Sequence, residues 1–130
     1  MGYDTGTKRA SRQGSDREEG SAVRLLVNGE AVAEVEIADT AWSRLRGALG
    51  KQPLAGALLL DPCRSVHSVG LRAPLDVAFC DRDLRVLRTV RLRPWRMTRV
   101  VRESRVVVEA EPGSFDRWGV RPSSLLGIDT

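Results

Sequence analysis

His67 is the only histidine in the chain, and it lies within D-P-C-R-S-V-H-S-V-G-L-R-A-P-L-D, residues 61–76. Imidazole can move protons near neutral pH, so His67 is a candidate general base or metal ligand. The alternative for a lone histidine is a packed ring with its N–H on a backbone carbonyl. Asp76 follows Pro74 by two residues and precedes the apolar run Val77–Phe79. A carboxylate in that setting must be paired or hydrogen-bonded. Arg72 and the amides of the preceding bend are its candidate partners, and pinning the bend is its expected role. Glu109 stands near the end of a valine-rich run. With Asp76 it could form a carboxylate pair for acid–base work. His67, Arg72, Asp76, Trp95 and Glu109 together define one candidate pocket. Cys63 and His67 are four residues apart, but a zinc site takes three or four protein ligands. No Cys-x2-Cys pattern supplies the rest, so no metal is expected. The chain has no P-loop, no G-x-G-x-x-G and no G-x-S-x-G, and no cofactor is expected.

The densest charge feature is a run of arginines. Arg82, Arg85, Arg88, Arg91, Arg93, Arg96, Arg99, Arg102 and Arg105 share the segment 82–105 with only two acids, Asp83 and Glu103. In an extended chain alternate residues face opposite ways, so these arginines do not form one stripe. Single-stranded nucleic acid readers add stacking aromatics, and Trp95 is the only one in the run. A solvated surface is the expected reading, with nucleic acid binding at most non-specific. Of 21 basic residues only Lys8 and Lys51 are lysines, and the net charge is +4. An arginine skew of this kind follows base composition in coding sequence as readily as selection for a partner.

The elements that must position these groups can be read from pattern. Residues 1–20 are polar and lack apolar periodicity, so a disordered tail is expected, followed by a single domain over 21–130. Asn28-Gly29 between two alternating segments predicts a hairpin. Asp39 or Thr40 can cap a helix from Ala41 to Leu49, with Trp42, Leu45 and Leu49 on one face. Apolar segments at 57–60, 75–80, 84–92 and 105–110 read as strands, and 125–128 as a short closing strand. Ser114 can cap one helical turn that ends at Gly119. These elements imply an α+β domain: a strongly bent antiparallel sheet or partial barrel of about seven short strands, with one main amphipathic helix. No apolar run approaches the roughly 20 residues of a membrane span. A soluble, cytoplasmic protein without a membrane partner is expected. Cys63 and Cys80 are expected to stay reduced.

The order of several segments carries a resemblance. The helix-like A-D-T-A-W-S-R-L-R-G-A-L-G, the stretch S-V-H-S-V-G-L-R-A-P-L-D-V-A-F-C-D (65–81), L-R-P-W-R (92–96) and V-V-V-E (106–109) recur in that sequence order. Together they resemble the domain of unknown function 192 family over about residues 22–128. The resemblance implies a small α+β domain with a curved sheet. It brings no activity, substrate or cofactor. The expected function is therefore a ligand- or protein-binding module. The alternatives are a small enzyme using His67 with Asp76 or Glu109, or a non-specific binder of anionic polymers through segment 82–105.

Overall fold

The computed structural model describes residues 23–38 and 56–130. Strand β1 (Arg24–Val27) turns through Asn28-Gly29 into β2 (Glu30–Ala38). Both turn residues have positive φ, 49° and 92°, which is what a two-residue hairpin turn demands. Strands β3 (Ala57–Leu60), β4 (Leu75–Cys80), β5 (Val86–Leu92) and β6 (Val106–Ala110) follow. A single-turn helix α1 (Ser114–Trp118) leads to β7 (Leu126–Asp129).

The seven strands among the described residues lie in one sheet, in the order β5-β4-β6-β3-β2-β1-β7. Two expectations are corrected. The sheet is mixed, because β2 pairs with β3 in parallel; every other pair of neighbours is antiparallel. A hairpin-by-hairpin reading misses this, since parallel pairing depends on a crossover that returns the chain to the same end of the sheet. The described part is also nearly all β, with α1 its one helix, and not an α+β fold carried by a main amphipathic helix. The helix expected over 41–49 and the tail expected over 1–20 both lie outside the described residues.

The central strands β3, β4 and β6 bury both faces. Along β4 all six residues are buried, and they alternate between two cores. Ala78 and Cys80 join one cluster with Leu25, Val35, Leu59, Val86, Val108 and Leu126, drawn from all seven strands together with Phe115 of α1. Leu75, Val77 and Phe79 join the other, with Leu58, Leu60, Leu92 and Val107. Cys63, Val66 and Leu71 complete that second cluster from the long connection after β3. The first core is the inside of the curve. At one corner the two ends of the sheet meet: Val86 N–H donates to the Ser124 carbonyl (2.8 Å), and Leu126 N–H donates to the Leu84 carbonyl (2.9 Å). A single bridge, Arg85 to Leu125, forms there. No strand ladder continues it, so the sheet is not closed into a barrel.

A bulge in β5 matters for the surface. Phe79 pairs with Arg88 but Cys80 pairs with Val86. Leu87 is the extra residue, and it is exposed. The bulge also switches β5 from one face to the other, which lets Val86 reach the first core and Leu92 the second.

Candidate functional site

Over the second core lies an irregular two-stranded ribbon made of segments 63–68 and 95–105. Its rungs are backbone hydrogen bonds: Cys63 N–H to Arg105 O (2.9 Å), Val101 N–H to Arg64 O (2.9 Å), Thr98 N–H to Val66 O (2.8 Å) and Ser68 N–H to Arg96 O (2.8 Å). His67 and Met97 are bridge partners within it. Cys63, Val66 and Ser68 face inward and are buried. Alternation therefore turns His67 and Met97 outward.

Ser68 organises the end of the ribbon. Its hydroxyl donates to the Arg93 carbonyl and accepts from the Arg96 N–H (2.9 Å). Its own carbonyl accepts from Trp95 N–H (3.1 Å). These bonds hold the turn Arg93–Arg96, in which Trp95 takes φ 60°. Left-handed backbone is uncommon for a bulky residue and persists only where its surroundings fix it. The consequence is an indole held out from the turn, 64% exposed. Met97 is 71% exposed, Val100 63% and Val69 46%. The Val69 N–H donates to His67 Nδ1 (3.3 Å). Beside Val100 a groove of about 310 Å³ runs between the β5 bulge and the ribbon, lined by Leu87, Arg88, Val100, Val101, Arg102 and Glu103.

The five candidate residues separate. His67 and Trp95 come together on the ribbon, and Arg72 is exposed on the segment that leaves it. Asp76 faces the other core. Its Oδ2 accepts the N–H of Gly113 (3.0 Å) and of Phe115 (3.0 Å), and its Oδ1 accepts from Arg91 Nε (3.2 Å). The carboxylate so caps α1, whose N-cap residue is Gly113 and not Ser114. Arg72 and the bend amides, the expected partners of Asp76, are replaced by Arg91 and by a turn distant in sequence. Glu109 pairs across the sheet with Leu58 and Val77, and Asp76 with Ala110. The two carboxylates therefore lie on opposite faces of the sheet. Glu109 is fully buried. Asp76 and Glu109 thus face different cores.

The thiols are buried. Desolvation pushes Cys80 up to about 12, with the charge of Asp81 adding to the rise. Cys63 is also raised, first by burial, while backbone hydrogen bonding at Ser65 works the other way and the Glu109 charge adds to the rise. Neither has the electropositive, open setting of a reactive cysteine.

Ser68, Val69, Met97 and Val100 went unmarked in the sequence reading. The available signal was three large apolar residues scattered through arginine-rich segments with no strand or helix period to bury them.

The family model for domain of unknown function 192, described as uncharacterised ACR, matches residues 23–128. The chain belongs to this family. A relative, the UPF0127 protein PH1112 of Pyrococcus horikoshii, is 29% identical over 85 residues, which are 62% of this chain and 74% of that one. A crystal structure from Sinorhizobium meliloti, described as a candidate transcription regulator, is similar with TM-score 0.63 and 26% identity, over 81% of this chain and 90% of its own. A protein of unknown function from Novosphingobium aromaticivorans shares the fold, with TM-score 0.67 and 20% identity, over 95% of this chain and 99% of its own. The matched family region takes in the whole ribbon and every candidate residue. Among the described residues no helix is long and apolar enough to cross a membrane.

Proposed function

We propose that this family member is a binding module that engages a protein partner through the outward face of the ribbon. The observation that carries this reading is the concentration of exposed apolar side chains. Among the described residues the large exposed apolar side chains are Ile37, Val69, Leu87, Trp95, Met97, Val100 and Leu125. Four of them are on the ribbon or at its end, and Leu87 shares the adjoining groove with Val100. Single exposed apolar residues are ordinary, but a contiguous group marks an interaction surface. The backbone at Trp95 is also held by hydrogen bonds, so ordering of the chain there adds little to the cost of burial against a partner. A photo-crosslinking residue placed at Met97 in cells of the native host tests the reading. A discrete crosslinked protein is expected from position 97 and not from the exposed control position Asp83. Absence of any product at 97 would remove the proposal.

A second reading, non-specific binding of nucleic acid, draws on the exposed arginines and on the description of the Sinorhizobium meliloti neighbour. Its signature is affinity that falls linearly in log–log form with salt and does not depend on sequence. Filter binding to a mixed-sequence duplex across a salt series measures it directly. A slope near zero, or preference for one sequence, removes this reading.

A further inference from the structure

The ribbon face has a charge pattern that narrows its occupant. Arg72, Arg88, Arg93, Arg96, Arg99 and Arg102 are all exposed, and none forms an ion pair with a described residue. The remaining cations nearby are occupied: Arg91 by Asp76, Arg105 by Asp61 (2.9 Å) and Arg64 by the Ser104 carbonyl (3.3 Å). Arg93 and Arg96 flank Trp95, and Arg99 and Arg102 stand on either side of Val100 and Val101. Glu103 is the one acid lining the groove. Along the chain, the exposed apolar residues Val69, Trp95, Met97 and Val100 are thus interleaved with exposed arginines, which form a cationic rim in sequence around Trp95, Met97 and Val100.

On this basis we infer that the ribbon and its groove dock an acidic, amphipathic peptide segment of a partner protein, and the inference rests on the binding-module reading above. Apolar side chains of such a segment cover Trp95, Met97 and Val100, and Leu87 and Val101 receive another in the groove. Its carboxylates meet the arginine rim, where guanidinium forks offer paired donors. Rim charges of this kind set the association rate and select against basic partners, while the aromatic and apolar centre carries most of the affinity. A nucleic acid strand fits less well. It needs a series of stacking platforms, and the face offers one aromatic among aliphatic side chains.

The test begins with the full chain and a displayed library of random peptides. Selection on the wild type is expected to enrich sequences in which Asp or Glu flank Leu, Phe or Trp. A synthetic version of the winning peptide, labelled with a fluorophore, should bind the wild type with an affinity that falls as salt rises. The double variant Trp95→Ser with Met97→Ser should lose about tenfold or more of that affinity, with an unchanged urea midpoint because both side chains are exposed. Arg99→Gln with Arg102→Gln should weaken binding and flatten the salt dependence. Failure to enrich, enrichment without acidic residues, or equal binding by the serine variant overturns the inference. Binding of a single-stranded oligodeoxynucleotide or of phosphatidylserine vesicles with no peptide enriched overturns it too. So does a concentration-dependent dimer that the serine variant abolishes, since the occupant is then a second copy. A crosslink at Met97 combined with any of these results leaves the binding-module reading standing and removes only the acidic peptide.

Discussion

Both oxygens of the Asp76 carboxylate are engaged, one by Arg91 and the other by the Gly113 and Phe115 amides. The carboxylate thus serves as the cap of a helix on another part of the chain. Asp76→Ala leaves two amides and a guanidinium without it, and the expected cost is about 1–3 kcal/mol for the unsatisfied buried donors. Asp76→Asn keeps one accepting oxygen and should cost less. Arg91→Ala should cost least, because its guanidinium is half exposed and such pairs contribute about 0–1 kcal/mol. Urea melts in which both Asp76 variants match or exceed wild-type stability would deny the structural role. Part of this was legible beforehand: a carboxylate before an apolar run has to be satisfied, but the expected partners were Arg72 and the bend amides, whereas the β4–β5 register brings Arg91 to it. The amide donors were not legible, because they arrive only through the β4–β6 pairing between distant segments. Cys80 gives a pH prediction. Its pKa rises on folding from the ordinary 9.0 to about 12, so the folded state holds the proton more tightly than the unfolded one. That contribution is complete below pH 9 and is lost as pH climbs towards 12. Alkaline urea melts should show stability declining across that window, and Cys80→Ala should flatten the decline. An identical slope in the variant would assign the loss to other groups.

The hairpin β1–β2 was the most legible element, since Asn-Gly has few conformational alternatives between alternating segments. Its structure adds a second task for Asn28. The Asn28 N–H donates to the Leu125 carbonyl (2.8 Å), and its Oδ1 accepts the Leu125 N–H (3.0 Å). The turn is thereby tied to the approach to β7. Asn28→Gly keeps the positive φ and loses the side-chain acceptor, whereas Asn28→Ala loses that acceptor and strains the backbone. Thermal melts should rank wild type above Gly and Gly above Ala, with the alanine variant down by about 1–2 kcal/mol. Equal stability of the alanine variant would show that the turn can relax. Gly56 is the counterpart on the parallel side. It has φ 101°, and a Cβ there would sit 2.5 Å from the Glu34 carbonyl oxygen on β2. Nothing in the local pattern marks this position, because the close approach exists only once β2 and β3 lie side by side. The ribbon was equally hard to foresee. His67 and Trp95 stood out by residue type, but Ser68 reaches partners 25 and 28 residues away, and nothing local distinguishes that serine from a solvated one.

At the scale of the molecule, the first core draws on all seven strands because the sheet bends until its two ends touch. Leu84, packed against that core, presents its carbonyl to the Leu126 N–H, and Ser124 presents its carbonyl to Val86. The contact joins strands at opposite ends of the sheet order, which no run of neighbouring hairpins encodes. It has a thermodynamic consequence. If β7 were an accessory strand, its amides would exchange through local fraying while the centre of the sheet stayed protected. With Leu126 buried in the shared core and its N–H held across the corner, opening β7 exposes the same apolar surface that global unfolding exposes. The Leu126 amide should therefore exchange at the rate of the central β4 amides under native conditions, both limited by the global free energy. Leu126→Ala should lower that free energy by about 2–5 kcal/mol, the usual range for a leucine truncated in a core. It should lower the protection of β4 by the same amount, although four strands, β1, β2, β3 and β6, separate β4 from β7 along the sheet. Hydrogen exchange followed by NMR on wild type and variant reads both quantities. Faster exchange at Leu126 than in β4 of the wild type, or a variant in which β4 keeps its protection, would show that the corner contact does not couple the ends of the sheet.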